Sequence, residues 1–117
     1  MTREEFKVRT KTYALRVIKV VDALPRDVVA KTLGHQLLRS GTSVAANYRA
    51  AVRARSPADF IAKMGIVEEE CDESLLWMEL LIESGRIEQT RLAELMREGR
   101  EILAIPVASN KTARRGR

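Results

Sequence analysis

The stretch Arg39-Ser40-Gly41-Thr42-Ser43-Val44-Ala45-Ala46-Asn47-Tyr48-Arg49-Ala50-Ala51, RSGTSVAANYRAA, places a glycine, hydroxyl side chains, an asparagine and a run of alanines where the flanking pattern calls for helix. Read at spacings of three and four, it continues an upstream stripe: Ala30, Leu33, Leu37, Ser40/Gly41, Val44, Asn47/Tyr48 and Ala51. It is therefore the middle of one long helix, about residues 26–55, in which Asp27 sets negative charge near the N-terminus. Small residues at 40–46 let another helix backbone approach closely as ridges pack into grooves. Gly41 costs about 1 kcal/mol relative to alanine in a helix interior, so packing or a local kink has to offset it. Asn47 shares the stripe, and a buried amide there needs partners; a polar residue in a helical seam also fixes register or subunit geometry. No base accompanies these residues, so a catalytic asparagine or serine is the weaker reading.

Working outward, Phe6, Thr10, Tyr13, Val17, Val20, Val21 and Leu24 form one stripe over about residues 3–24, which Pro25 ends by disfavouring helix at the residue before it. On the other side, Ser56-Pro57-Ala58-Asp59 supplies a hydroxyl N-cap, a proline at the first helical position and a carboxylate three residues after the cap. From there Phe60, Met64, Val67, Cys71, Ser74/Leu75, Met78, Leu81 and Ile82 repeat over about 57–84, until Gly85 offers a left-handed stop. Leu92, Leu95, Met96, Gly99, Ile102 and Leu103 mark a fourth helix, about 89–105, closed by Pro106. The fold class is all-α. Short connections imply antiparallel neighbours in an up-down-up-down four-helix bundle over residues 1–106, followed by a basic tail, 107–117, expected to be disordered.

The 117 residues suit one domain able to bury roughly 65% of the unfolded chain's surface. The single cysteine, Cys71, forms no internal disulfide, and the opening MTREEFKVRTK has neither an apolar signal core nor a cleavage site, so a cytoplasmic location is expected. No uncharged run approaches the roughly 20 apolar residues of a membrane span, which leaves no role for a membrane.

A second set of apolar residues lies off the core stripes: Val8, Leu15 and Ile18 on the first helix, and Ile61, Leu76, Trp77 and Leu80 on the third. Contiguous exposed apolar surface marks interfaces, so these residues point to a homo-oligomer, although such a stripe can also widen the core.

Charge is divided along the chain. Residues 1–55 carry 12 Lys/Arg against 4 Asp/Glu, residues 56–105 carry 5 against 12, and the tail adds 4 basic residues, for a formal net charge of +5. On the second helix His35, Arg39, Arg49 and Arg53 share a face, with Lys31 at its N-terminal end and Arg55 just beyond. Such a stripe tracks phosphates by counterion release without reading bases, and Arg114 and Arg115 in the tail add to it. The competing reading is a solvated face, or one paired with Glu68, Glu69, Asp72 and Glu73 across a helix–helix contact.

Catalytic constellations are weak. The run EEECDE resembles a bundle carboxylate site only superficially, because di-iron bundles need Glu-x-x-His pairs on two helices and His35 is the one histidine. Cys71 lies on the core stripe with nothing nearby to lower its pKa, and the six glycines form no phosphate-loop fingerprint. No enzyme activity, metal or cofactor is expected.

Residues 39–85 resemble the signature of the four-helix-bundle proteins first described from intervening sequences inserted in bacterial 23S ribosomal RNA genes. The resemblance is carried by Arg39, Ser43-Val44-Ala45-Ala46-Asn47, the Arg53-x-Arg55-Ser56 run and Asp59-Phe60. Family members commonly carry Ile-Ala-Glu-Gly after that asparagine, where Tyr48-Arg49-Ala50-Ala51 stands here, as in one sub-branch. The resemblance implies a bacterial homopentameric barrel. It extends to the accessory variability proteins of diversity-generating retroelements, which bind nucleic acid and a reverse transcriptase through a basic surface. It implies RNA or DNA, and a reverse transcriptase or other protein, as partners, with Arg39, Arg49, Arg53 and Arg55 as phosphate contacts. The alternative function is a structural or adaptor protein whose complementary charged faces mediate assembly.

Overall fold

The computed structural model describes the backbone of residues 1–115 and the side chains of residues 1–105. Four helices account for it: α1 (Arg3–Asp22), α2 (Val28–Val52), α3 (Pro57–Glu83) and α4 (Gln89–Arg115), with no strand among the described residues.

Three of the four expected starts have a side-chain cap. Thr2 accepts from the Glu5 amide, Asp27 from the Ala30 amide and Ser56 from the Asp59 amide, at 3.0, 3.0 and 3.1 Å, each contact satisfying one of the donors a helix start leaves unpaired. Asp27 is thus the N-cap of α2, which places the first helical residue at Val28 rather than 26. Its carboxyl is held below its ordinary pKa, first by the Ala30 amide and then by Arg86, whose guanidinium lies 3.3 Å away. Gly85 adopts φ +79 and ends α3 as expected. Its own amide reaches Ile82 O, and the Arg86 amide reaches Leu81 O, both at 2.9 Å, the pair of bonds that terminates a helix on a left-handed residue.

The ends differ from the sequence reading where pattern outran geometry. The helix expected to reach Leu24 stops at Asp22, and the one expected to reach Arg55 stops at Val52; the amides of Ala23 and Arg53 turn back to carbonyls three residues earlier. Conversely, α4 continues past Pro106 to Arg115, so the segment expected to be disordered from 107 is helical to that residue. Proline lacks an amide donor, but its fixed φ near −65° is itself a helical value, so one missing bond need not end a helix. Gly116 and Arg117 lie outside the described residues, as do the side chains of Arg114 and Arg115, expected phosphate contacts.

One core fills the space between the helices. Phe6, Tyr13 and Val17 of α1, Leu37, Val44, Tyr48 and Ala51 of α2, Met64, Val67, Cys71, Leu75, Met78 and Leu81 of α3, and Leu92, Leu95, Met96 and Ile102 of α4 are all buried. These are the residues of the four core stripes. α3 packs broadly on both α2 and α4, and α2 on α1, while α1 touches α4 over a small area. That thin seam is closed by charge: Arg9 donates to Glu98 at 2.7 and 2.9 Å and to Glu101 at 2.8 Å. The Arg9 hydrogen bond holds the Glu98 carboxyl below its ordinary pKa.

Gly41 meets the expectation of close approach. A Cβ there would lie 2.9 Å from both methyls of Val17, so α1 and α2 pass at a distance that only glycine permits without movement. The alanines after it behave differently, since Ala46 is exposed and Ala45 and Ala50 are half-buried. Asn47 is half-buried and donates to Ser43 O of its own helix at 2.9 Å, so its described partner is local and fixes no seam between helices. Where α1, α3 and α4 meet, Ser74 Oγ donates to Cys71 O at 2.6 Å, leaving Tyr13 Oη to donate to Ser74 Oγ at 2.8 Å; the Cys71 thiol reaches Gly99 O at 3.2 Å. Burial raises the Tyr13 pKa and pushes the Cys71 thiol up to about 12.

Candidate nucleic-acid interface

At one end of the bundle an aromatic pair decides where the basic side chains go. Phe6 of α1 and Tyr48 of α2 meet edge to face with centroids 4.6 Å apart, and Tyr48 Oη donates to Arg3 O at 3.3 Å. Successive helical residues are rotated by about 100°, so the residues that follow this buried pair, Lys7 and Arg49, emerge together on the adjoining rim. Lys11 and Arg53 lie one turn further on the same faces, and Arg55 follows in the connection to α3.

These side chains line two depressions that share Lys7 and Arg49 and together make the two lobes of a basic groove. The larger lobe, about 670 Å³, is bounded by Lys7, Arg49, Arg53, Arg55, Asp59 and Lys63, with Ala46 and Ala50 beneath. The smaller, about 330 Å³, is bounded by Glu4, Lys7, Val8, Lys11, Ala45 and Arg49. Ala45, Ala46 and Ala50 of the SVAANYRAA run thus line the groove, while Ala51 belongs to the core. Asp59 is occupied: Lys63 Nζ donates to it at 2.7 Å and the Arg55 amide at 3.3 Å, and these contacts hold its pKa below the ordinary carboxylate value. The side-chain cations of Lys7, Lys11, Arg49, Arg53 and Arg55 have no carboxylate within 4.0 Å among the described residues. Arrays of unpaired cations of this kind attract polyanions and release counterions from them.

The seven basic residues picked from sequence do not form one site. Arg49, Arg53 and Arg55 come together in the groove. Arg39 is drawn the other way, donating to Glu70 and Glu73 of α3 at 3.0 Å each, so it braces α2 against its own α3. Lys31 precedes Arg49 by 18 residues, about 27 Å along the helix, and lines a separate depression of about 330 Å³ with Arg26 and His35. Sequence reasoning missed Lys7, Lys11 and Lys63. The four-residue spacing of Lys7 and Lys11 was the available signal, because it matches that of Arg49 and Arg53 on the neighbouring helix.

Of the expected interface residues, Val8, Leu15, Ile18, Leu76 and Leu80 are exposed, Val8 at 62% and Leu15 at 54%. Ile61 and Trp77 are half-buried instead. Trp77 packs against the core, and its buried Nε1 has no acceptor among the described residues. Ile66, on α3, is exposed as well and was not anticipated. Among the described residues no three His, Cys, Asp or Glu side chains gather as a metal site, and no helix is long and apolar enough to cross a membrane.

The family model of the 23S rRNA-intervening sequence protein matches residues 4–107. A solved structure from Bacteroides thetaiotaomicron, described as a protein of unknown function from the S23 ribosomal protein family, shares 32% identity and superposes with a TM-score of 0.87 over 95% of this chain and 99% of the other. No functionally curated protein matches the sequence.

Proposed function

Because the chain belongs to the 23S rRNA-intervening sequence protein family, we propose that it is a non-enzymatic, oligomeric bundle protein that binds nucleic acid non-specifically through its basic groove. In this reading the bundle is antiparallel, up-down-up-down, and its copies close into a ring or barrel, a pentamer as the family resemblance implies. The protein is bacterial and cytoplasmic. A reverse transcriptase or another protein is a further partner implied by that resemblance.

The observation that carries the reading is the groove itself: five cations from α1, α2 and the following connection, in no ion pair among the described residues, around two depressions that share Lys7 and Arg49. Cations meant to hold the fold pair with acids, as Arg9 and Arg39 do. Apart from Lys63, which Asp59 holds, the groove's cations have no such ion pair among the described residues. Nothing in its lining provides a nucleophile with a base, which favours binding over chemistry.

A specific observation also supports assembly through complementary faces. Val8, Leu15 and Ile18 are exposed on basic α1, and Ile66, Leu76 and Leu80 are exposed on acidic α3. Docking one face on the other buries both sets and opposes their charges. Glu70 and Glu73 are already engaged by Arg39, so the acids left for a neighbour include Glu69, Asp72 and Glu79.

Size-exclusion chromatography with light scattering, at low and high salt and with a mixed RNA and DNA pool, tests both readings. A stable oligomer that takes up nucleic acid at low salt and sheds it at high salt supports the groove. An oligomer that ignores nucleic acid and dissociates at high salt places those charges between subunits instead.

A further inference from the structure

We infer that the groove takes the phosphate edge of a double-stranded nucleic acid rather than a single strand; this rests on the nucleic-acid reading above and names the ligand's class.

The lining decides the point. Proteins that hold single strands combine a cationic track with aromatic platforms on which unstacked bases lie. The chain has five aromatic residues, and none borders the groove. Phe6, Tyr13 and Tyr48 are buried in the core, Phe60 lies under Arg3 at 5.3 Å, and Trp77 is packed far along α3. The apolar lining is alanine and valine, with no ring to receive a base, and its polar side chains are all charged, with no asparagine, glutamine, serine or threonine among them. A base entering the groove would gain little stacking. A phosphate would meet the cations at once.

The spacing favours a regular lattice. Lys7 and Lys11 stand four residues apart, about 6 Å along α1, and Arg53, at the C-cap of α2, follows Arg49 by four. A duplex holds its phosphates at a fixed repeat, so such pairs of cations can meet them without first ordering the ligand. The duplex presents about one charge per 1.7 Å of its axis, both strands counted, at fixed positions. A flexible single strand would have to be ordered onto the same cations, with no stacking to offset the lost freedom. Backbone-held duplex can be DNA or RNA, and the groove offers no group that distinguishes them through the bases.

The test is fluorescence anisotropy of the full chain with matched labelled ligands: duplex DNA, duplex RNA and each of their single strands, all of unstructured mixed sequence. At least one duplex should bind tenfold or more tightly than its strands, with a salt slope near −4.5 if all five cations meet phosphates of B-form DNA. Preference for duplex RNA over duplex DNA, or the reverse, would identify the source within that class. Single strands binding as tightly as both duplexes, with Arg49→Glu/Arg53→Glu weakening all of them, would overturn the duplex inference while leaving the groove in place. Binding to none of the ligands at low salt would overturn the nucleic-acid reading and the inference together.

Discussion

Replacing Gly41 and Gly65 by alanine, one at a time, should move stability in opposite directions, although both glycines lie inside long helices. In an exposed helix interior the change gains up to about 1 kcal/mol, because alanine loses less backbone entropy on folding. At Gly65 a new Cβ meets nothing within 4 Å, so that gain should appear nearly whole. At Gly41 the same atom would sit 2.9 Å from both Val17 methyls and 3.1 Å from its Cβ. Val17 is fully buried and β-branched, so in a helix one rotamer dominates and neither methyl can swing away. Overpacking of this sort costs about 1–3 kcal/mol, which leaves Gly41→Ala destabilised by roughly 0–2 kcal/mol and the two variants about 1–3 kcal/mol apart. Urea unfolding followed by circular dichroism, at one protein concentration so that assembly does not shift the midpoint, reads the difference. In a Val17→Ala background the Gly41→Ala penalty should shrink, giving a coupling energy of about 1 kcal/mol or more. Equal stabilisation by both glycine replacements would refute the close approach of α1 and α2.

Ser56→Ala removes the α3 cap and should lower stability by about 1 kcal/mol in the same urea assay, with Ser56→Asp restoring most of it. The Arg9–Glu98 contact depresses the Glu98 pKa, so its contribution is fully present above the ordinary carboxyl value of about 4.3 and is lost as pH falls through the depressed one. The stability gap between wild type and Glu98→Gln should therefore be constant near neutrality and close in acid. Cys71, buried with its thiol pushed up to about 12, should resist iodoacetamide at pH 8 in the native protein and react promptly in denaturant.

The core was legible because burial follows helical period: Phe6, Tyr13, Val17, Leu37, Val44, Met64, Val67, Met78 and Leu81 stand in register with the stripes read from sequence. Starts were legible too, since Ser56-Pro57 and Asp27 have a specific local chemistry. Helix ends were less so, because the last turns of α1 and α2 are set by backbone turns that their side chains do not announce. The groove was half visible. Arg49, Arg53 and Arg55 could be placed on one stretch, but Lys7 and Lys11 join them through the packing of α1 on α2, in which Phe6 meets Tyr48 across 42 residues of sequence. Arg39 misled for the complementary reason: its face was read correctly, yet the acids that occupy it come from α3. Ile61 and Trp77 are half-buried because an apolar residue off the main stripe can still lie half under its neighbours.

Binding of a labelled duplex by wild type, Arg49→Glu/Arg53→Glu and Arg39→Glu, measured across a salt series, tests the central claim most directly. Each phosphate contact contributes about 0.9 to the slope of log affinity against log salt, so five contacts correspond to a loss of about 500-fold between 50 and 200 mM salt. The double reversal in the groove should weaken binding at least tenfold and flatten the slope by about 1.8, while Arg39→Glu, outside the groove, should leave both nearly unchanged. Wild-type affinity in the Arg49→Glu/Arg53→Glu protein, or a loss in Arg39→Glu as large as in the double variant, would contradict that claim.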